Sequence, residues 1–444
     1  MHIKTLTAQN FRCFENLQID FQPGFNLLIG NNMSGKTAVL DALRICLTQF
    51  TRAIVPAENN ILMKDLRIIH QLIGDTTETI QQNSCRVDAS IDVSHFLSQS
   101  GLSSVMDSVY GFLKSGALNA YQRFDAKKGG GAKDIFSIFA SRINSELKSG
   151  EVFLLPVLVF FGTSRVAKIT DVNLSKKDEE KLGRPLGYLD SLSESSSLVL
   201  IRSWIERRTM SEMQRKQRGL PLLEEGPLLG IERAVKICLP ELKQFYFDFE
   251  FQELTVVFQD DRRLPWMMLS DGMRSLISLA MDIAWRAVVL NPQLGAKAPE
   301  LATGVVLIDE LDLALHPIWQ RRIVGDLSRA FPNVQFIATT HSPQIIGSAK
   351  NARVQKIDGD KVQTVAHPFG LDSNTLLTEV MGAKERDPQI VALFDEVNAL
   401  MNDKRWDEAR AALARVTDQI DSLDTEVVSL RARIDFLSRA AKRS

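Results

Sequence analysis

The segment Gly30–Thr37, with the sequence GNNMSGKT, constrains the fold more strongly than any other part of the chain. It follows the apolar run FNLLIG and precedes apolar residues at helical spacing, which predicts a strand, a glycine-rich turn and a helix. Such a turn lets backbone N–H groups surround phosphate oxygens at the positive end of a helix. The pattern therefore predicts a phosphate-binding loop that consists of Gly30, Asn31, Asn32, Met33, Ser34, Gly35, Lys36 and Thr37.

Two side chains of this phosphate loop have specific expected roles. Lys36 is predicted to reach the β- and γ-phosphates of ATP, and Thr37 is predicted to hold Mg²⁺. A second segment, Gly304–Glu310, reads GVVLIDE and predicts a buried strand that delivers two acids at its carboxyl end. Asp309 is expected to bind Mg²⁺ through water, and Glu310 is expected to orient and activate the attacking water. The loop and this acidic strand, in this order, indicate a nucleoside triphosphatase.

Further segments resemble the ABC-type ATPases of the SMC/Rad50/RecF class. Residues 269–274, LSDGMR, resemble the signature motif LSGGQ of that class, with Asp271 in place of a glycine, and they precede a helical pattern. The resemblance implies that Ser270 and Gly272 bind the γ-phosphate held by a second copy of the chain. The N–H groups at a helix N-terminus would make that contact.

Two segments that follow the acidic strand carry the same resemblance. Residues 311–317, LDLALHP, are similar to the D-loop of the class, which implies that Asp312 lies at the interface between two copies. Residues 339–343, TTHSP, match the switch-histidine segment. His341 is therefore expected to contact the γ-phosphate and to distinguish triphosphate from diphosphate.

Two further segments are less specific. Residues 10–14, NFRCF, resemble a segment of RecF-like heads whose arginine approaches the nucleotide, which implies this role for Arg12; an ordinary surface charge is the alternative. Residues 155–165, LPVLVFFGTSR, occupy the expected place of the Q-loop but contain no glutamine. The Q-loop ligand of Mg²⁺ is therefore left unassigned.

The predicted fold class is α/β: an ABC ATPase head with two sequence-separated lobes, a short helical insertion and an α-helical C-terminal tail. Residues 1–165 are predicted to form the N-terminal lobe, and 166–230 an inserted helical arm. Residues 231–387 are predicted to form the C-terminal lobe, and 388–444 a helical tail for oligomerisation or partner docking. The insertion is too short for the long coiled coils of SMC and Rad50.

The runs LPVLVFFGTSR and GRPLGYLDSL look like the AAA-15/AAA-21 group of bacterial ATPases, which includes OLD proteins and the ATPase subunits of anti-phage systems such as Septu and PARIS. OLD proteins continue into a Toprim nuclease domain, which contains a metal-binding DxD motif. Asp358–Asp360 has the DxD sequence, but it falls in a predicted hairpin turn, so it does not indicate a Toprim domain in this chain. The six histidines form no visible metal-binding cluster. The resemblance implies a slow ATPase that regulates a separate effector, such as an HNH nuclease or a Toprim-like nuclease.

Two other functions stay open at this point. One is a RecF-like protein whose DNA binding is gated by ATP, and the other is a nucleotide-gated assembly platform without turnover. The segment 202–218 carries six basic and two acidic residues. Contact with DNA, contact with an acidic partner and a solvated helical face are all compatible with that charge.

The tail beyond residue 387 shows apolar stripes at helical spacing. Its last stripe keeps the spacing of a short coiled coil and consists of Leu423, Val427, Leu430, Ile434 and Leu437. The tail is predicted to join copies or to dock a partner, and a lid packed on its own chain is the alternative.

Composition limits the kinds of partner, site and location that the chain can have. The 444 residues carry a formal net charge of −1, which argues neither for nor against a nucleic-acid partner. The four cysteines form no CxxC pair, so neither a zinc site nor a disulfide framework is indicated. The first residues are predicted to form an amphipathic strand and not a signal peptide, and no apolar run of the sequence is long enough to span a bilayer. We expect a cytoplasmic homodimer or higher oligomer without a membrane partner.

Overall fold

The computed structural model describes residues 1–55, 63–73, 76–82, 84–94, 117–125, 129–131, 135–163, 183–194, 198–219, 226–382 and 388–441. By its contacts the chain divides into two compact units, Met1–Leu371 and Asp372–Ser444. Within the ranges given, no helix combines the length and the apolar character needed to cross a bilayer. The four-part domain division drawn from the sequence stays a prediction.

A six-stranded mixed sheet lies in the first unit. In spatial order its strands are β16 (Lys361–Thr364), β15 (Arg353–Asp358), β3 (Phe25–Ile29), β14 (Val334–Thr339), β13 (Gly304–Ile308) and β9 (Val157–Phe161). All neighbouring strands are parallel except β15 and β16. Every residue of β3, β9, β13 and β14 is buried, as expected for apolar strands covered on both faces. The carboxyl ends of these four strands therefore meet at one edge.

Antiparallel strands complete the β-structure of this unit. A five-stranded sheet has the order β2 (Phe14–Asp20), β1 (His2–Phe11), β6 (Ser84–Asp92), β7 (Ala117–Asp125) and β8 (Gly129–Gly131). Smaller groups are β10 (Leu242–Asp248), β11 (Glu253–Phe258) and β12 (Arg263–Pro265), and the hairpin β4 (Ile68–Ile73) and β5 (Thr76–Gln81). The buried Gln335 side chain of β14 accepts from the Ile3 N–H at 2.7 Å and donates to the Ile3 carbonyl at 2.8 Å, so it ties the two larger sheets together.

The longer helices of the described residues are α1 (Lys36–Ile54), α2 (Ile135–Lys148), α3 (Leu198–Gln217), α4 (Pro227–Cys238), α5 (Asp271–Leu290), α6 (Ile323–Ala330), α7 (Pro388–Asn402), α8 (Trp406–Thr417) and α9 (Thr425–Ala441). Shorter helical segments comprise Met63–Asp65, Arg184–Tyr188, Trp266–Met268, Pro292–Lys297, Ala298–Leu301, Pro317–Gln320, Pro343–Ser348, Ser373–Thr375 and Leu376–Val380. The predicted α/β class, with its C-terminal helices, is confirmed.

Helix α1 contacts β6 and β7 of the five-stranded sheet and β9, β13 and β14 of the mixed sheet, which places it between the two. It is buried around most of its circumference, as a helix covered on both sides must be. The phosphate loop at its N-terminus is therefore held by the core of the unit.

The predicted inserted arm, 166–230, is only partly within the described residues, since 164–182, 195–197 and 220–225 lie outside them. The part that is described packs on the core. The buried Arg286 of α5 donates to the Gly187 carbonyl at 2.7 Å, and the Tyr188 hydroxyl donates to the Pro156 carbonyl at 2.8 Å. Helix α3 has buried residues up to Thr209, and beyond that point all its residues are exposed or half-buried.

Asp358–Asp360, the DxD sequence, lies where the sequence predicted, in the tight turn between the antiparallel strands β15 and β16. Gly359 in that turn has φ 56°, a left-handed conformation that glycine adopts at little cost. The Asp360 carboxylate accepts the N–H groups of Glu15 and Asn16 at 2.9 and 3.2 Å. The turn therefore connects two hairpins of the same unit.

The second unit contains α7, α8 and α9 around one apolar cluster, whose buried members are Phe394, Val397, Met401, Ala409, Ala412, Leu413, Val416, Val427, Leu430 and Ile434. Three of the five predicted coiled-coil positions thus pack within their own unit, whereas Leu423 is 79% exposed and precedes α9. The interpretation of this stripe as a coiled-coil seam is wrong, because the neighbouring helices α7 and α8 cover it. Whether the tail also joins copies or docks a partner stays a prediction.

Candidate nucleotide site

The phosphate loop connects the end of β3 to the start of α1, as the sequence predicted. Gly35 precedes the helix with φ 100°, a left-handed conformation that a side chain rarely tolerates. A Cβ atom there would overlap the Phe14 ring, and one on Gly30 would overlap the Ile357 carbonyl. The loop backbone therefore depends on glycine at both positions.

Polar groups of the loop converge on the space that it encloses. The Lys36 ammonium donates to the carbonyls of Gly30 at 3.0 Å and Asn31 at 2.8 Å. The Ser34 hydroxyl is buried and has no hydrogen-bond partner among the described residues. Burial lowers the pKa of Lys36, and the carboxylates of three nearby acids oppose that change. A phosphate group suits this cradle, because it would accept from N–H groups, the hydroxyl and the ammonium together.

The acidic strand meets the phosphate loop at the carboxyl edge of the mixed sheet. The Thr37 hydroxyl donates to Asp309 Oδ2 at 3.0 Å, although the two residues are 272 positions apart in the sequence. Asp309 is 5% exposed, and its Oδ1 also accepts from the Thr339 hydroxyl at 2.6 Å. A hydroxyl oxygen beside a carboxylate is the donor set that Mg²⁺ prefers, so the residues present fit the predicted cation.

Glu310 follows directly and has an unusual backbone. Its φ is +49°, in the left-handed region that residues other than glycine seldom occupy. Its N–H donates to the Thr339 hydroxyl at 2.7 Å, and the next N–H, of Leu311, donates to the Thr339 carbonyl at 2.8 Å. The end of β14 thus fixes the position of Glu310.

The predicted D-loop and switch segments lie against each other. Asp312 Oδ1 accepts from the Thr340 hydroxyl at 2.6 Å and from the His341 N–H at 3.2 Å. Gln320, which the sequence analysis did not single out, accepts from the Ser342 hydroxyl at 2.7 Å and donates to the Leu315 carbonyl at 2.9 Å. The structure therefore brings Asp312 and His341 together through contacts within one chain.

His316, the sixth residue of the LDLALHP segment, has a structural role. Its Nδ1 accepts from the Ile318 N–H at 3.3 Å, which caps the short helix Pro317–Gln320.

The predicted signature motif lies at the N-terminus of α5. The exposed Ser270 is the N-cap of that helix, and its hydroxyl accepts from the Met273 N–H at 3.4 Å. Gly272 is buried against the D-loop, where a Cβ atom would lie 2.8 Å from the Ala314 carbonyl oxygen. Ser275 reinforces that contact by donating to the Leu313 carbonyl at 3.3 Å. The contacts of Ser270 and Gly272 are thus with their own helix and with the D-loop.

Arg12 is held by two carboxylates. Its Nε donates to Asp65 Oδ1 at 2.9 Å, and its Nη1 pairs with Asp41, which lies on α1 one turn beyond Thr37. Burial alone would lower the pKa of the Arg12 guanidinium, but Asp41 and Asp65 raise it above its ordinary value overall. Sequence reasoning missed both partners, since an isolated aspartate carries no motif. The predicted approach of Arg12 to the nucleotide stays a prediction.

Comparisons with known proteins identify relatives of this chain. A family model described as "AAA domain" matches residues 5–221, and one described as "AAA domain, putative AbiEii toxin, Type IV TA system" matches residues 170–347. Retron Ec83 probable ATPase of Escherichia coli is 23% identical, covering 98% of this chain and 87% of the relative. Septu protein PtuA of Bacillus thuringiensis is 22% identical, covering 90% of each chain.

A shorter match is to the DNA replication and repair protein RecF of Lachnoclostridium phytofermentans. It is 46% identical over 48 residues, which cover 11% of this chain and 13% of the relative. The two AAA-domain matches overlap and together span all the motifs from the phosphate loop to the switch histidine. The chain therefore carries AAA domains and is a homologue of the retron probable ATPase and of the Septu protein PtuA.

Proposed function

We propose that this chain is an ATPase whose nucleotide binds at the carboxyl edge of the mixed sheet. The hydrogen bond between Thr37 and Asp309 carries the proposal, because it joins the phosphate loop to the acidic strand where a cation with oxygen ligands would bind. Lys36 and the loop N–H groups hold the phosphates in this proposal. Mg²⁺, held by Thr37 and Asp309, would neutralise charge on the phosphate oxygens.

The remaining groups take part in hydrolysis. Glu310 orients the attacking water and accepts its proton in this proposal, since it is the residue directly after the cation-binding Asp309. His341 faces the γ-phosphate and makes the site sensitive to whether that phosphate is present. The contacts of Asp312 with Thr340 and His341 support a link between this sensor and the D-loop.

We propose further that two copies enclose the nucleotide, with Ser270 and Gly272 supplied by the second copy. The exposure of Ser270 at the start of a twenty-residue helix supports this arrangement, because helix N-termini offer N–H donors and positive potential to an anion. The packing of Gly272 on the D-loop would transmit the contact to Asp312 in the same chain.

A role in anti-phage defence is supported by the relatives, which are retron and Septu proteins aligned over at least 90% of the chain. The similarity to RecF is confined to 48 residues, so it gives less support to a role in DNA repair. We propose that the nucleotide state of the dimer controls a separate effector, of the HNH or Toprim-like nuclease kind. Direct DNA contact through residues 202–218 is a further part of the proposal that awaits a binding measurement.

Replacing Lys36 by alanine tests the nucleotide site. The variant should lose about 10- to 100-fold in ATP affinity, because a charge-assisted hydrogen bond to the phosphates disappears. Lys350→Ala, which removes an exposed lysine elsewhere, is the matched control and should bind as the wild type does. Equal affinities of the Lys36→Ala protein and the wild type by titration calorimetry would show that the loop does not bind ATP.

Two substitutions test the composite site. Glu310→Gln should retain ATP and accumulate as the closed dimer, since binding groups remain while water activation is lost. Ser270→Arg should abolish turnover with ATP binding nearly intact, since Ser270 acts on the nucleotide of the other copy. Mass measured by light scattering with and without ATP reports the dimer, and normal hydrolysis by the Ser270→Arg protein would contradict the arrangement.

A further inference from the structure

Thr339, the last residue of β14, contacts both acids of the acidic strand through its hydroxyl and the residue that follows them through its carbonyl. Its hydroxyl donates to Asp309 Oδ1 at 2.6 Å and accepts from the Glu310 N–H at 2.7 Å. Its carbonyl accepts from the Leu311 N–H at 2.8 Å. Thr339 is 1% exposed, so these hydrogen bonds form where water does not compete.

The Glu310 backbone needs such a restraint. A residue with a Cβ atom at φ +49° is in a sparsely populated conformation, which persists only when surrounding contacts hold it. Two of those contacts come from Thr339, one to the N–H of Glu310 and one to the N–H that follows it. Loss of the Thr339 hydroxyl would remove the hydrogen bond to the Glu310 N–H and leave the one to the Leu311 N–H.

The neighbouring hydroxyl has a different target. Thr340 donates to Asp312 at 2.6 Å and accepts from the Ser342 N–H at 3.0 Å, so it holds the D-loop and the start of the next helix. Its side chain makes no hydrogen bond to Asp309 or Glu310 among the contacts of the described residues. Thr339 therefore contacts the acid pair, and Thr340 contacts the D-loop.

We propose that Thr339 is a positioning residue for hydrolysis, which sets the direction of the Glu310 carboxylate and keeps Asp309 ready for the cation. The inference rests on the proposed function, because it assigns a role within that same site. It gives a role to Thr339, which begins the switch-histidine segment but which the sequence analysis did not assign to the site.

Thr339→Val tests the proposal, because valine has nearly the same shape and no hydroxyl. The variant should bind ATP without Mg²⁺ as the wild type does, since Lys36 and the loop are untouched. Its kcat should fall about 10- to 100-fold, the loss expected for hydrogen bonds to a charged group, and more Mg²⁺ should be needed for half-maximal rate. Thr339→Ser keeps the hydroxyl and should restore kcat to within a few-fold.

Thr255→Val is the matched control for burial and chemistry. Thr255 is 2% exposed, and its hydroxyl has no hydrogen-bond partner among the described residues. This variant should keep wild-type kcat and Mg²⁺ dependence. A Thr339→Val enzyme with unchanged kcat and Mg²⁺ dependence, or a Thr339→Ser enzyme as slow as it, would overturn the proposal.

Failure of the proposed function would look different. The wild type itself would then neither bind nor hydrolyse ATP, whereas failure of the Thr339 inference leaves an active wild type and an equally active valine variant. If the Thr339→Val variant does not fold, its melting curve shows this, and the Thr339→Ser variant is the test instead. A fall in the kcat of Thr339→Ser as large as that of a Glu310→Gln enzyme would overturn the inference.

Discussion

Replacing Leu430 by alanine tests whether the last helix packs within its own unit. Leu430 is 2% exposed and belongs to the apolar cluster formed by α7, α8 and α9. Truncation of a buried leucine costs about 2–5 kcal/mol, because apolar burial is lost and a cavity remains. A unit of this length has a total free energy of unfolding of only about 4–11 kcal/mol. The substitution should therefore remove a large part of the stability of the second unit.

Hydrogen exchange of peptides from residues 388–441 measures that loss directly. Amides of α7, α8 and α9 should exchange about 30- to 5,000-fold faster in the Leu430→Ala protein, which is the same free energy expressed as a ratio. Phe436→Ala is the matched control, since Phe436 lies on the same helix with 73% of its surface exposed. Its exchange rates should stay within about three-fold of the wild type.

The reasoning is refuted if both variants exchange alike, because the two faces of α9 would then be equally covered. A tail that joins copies through its exposed face gives a third pattern. In that case Phe436→Ala lowers the mass of the assembly in light scattering, while the exchange of the separate subunits does not change.

Two further predictions concern the first unit. Burial raises the pKa of Glu232 in the fold above its unfolded value, although Lys236 and the Phe245 N–H oppose this change. The contribution of Glu232 to stability should therefore fall as the pH rises above 4.5, and Glu232→Gln should remove that contribution from the pH dependence of the melting temperature. Gly272→Ala should lower the stability by about 1–3 kcal/mol, because the new Cβ atom meets the Ala314 carbonyl, whereas Gly325→Ala on α6 has open space and should raise the melting temperature. A Gly272→Ala protein as stable as the wild type would contradict the packing of the signature motif on the D-loop.

The sequence was sufficient to locate the phosphate loop and the acidic strand, because each is a short segment whose residue types and flanking pattern act together. Gly35 and Lys36 are recognisable since the turn and the helix start are determined locally. The hydrogen bond of Thr37 to Asp309 was not predictable as a distance, but parallel strands bring such ends to one edge. Local chemistry and sheet topology together account for this part of the site.

The contacts that restrain the site could not be predicted in the same way. Thr339 lies inside a recognised segment, yet nothing in the sequence says that its hydroxyl lies between Asp309 and Glu310. The partners of Arg12 are likewise set by how α1 packs between the two sheets. Such pairs depend on the relative position of elements that are far apart in the chain, and a single sequence carries no signal for it.

The tail shows the corresponding limit for apolar patterns. Helical spacing correctly indicated that Val427, Leu430 and Ile434 share a buried face. It did not indicate what covers that face, because a stripe that packs on two neighbouring helices and a stripe that pairs with another chain have the same spacing. In the structure, residues of α7 and α8 cover Val427, Leu430 and Ile434, which the spacing alone could not show.

The hydrogen bonds at the carboxyl edge suggest why two adjacent hydroxyls are placed there. A cation that takes the Thr37 oxygen as a ligand would displace the hydrogen bond from Thr37 to Asp309, and Asp309 would then lose this hydroxyl partner. The bond from Thr339 can persist, so the carboxylate keeps its direction while its first partner changes. Thr340 holds Asp312 independently and lies between Thr339 and His341 in the chain. A displacement of this strand end would therefore move the acid pair and the D-loop together, which is the coupling that the proposed control of assembly by nucleotide requires.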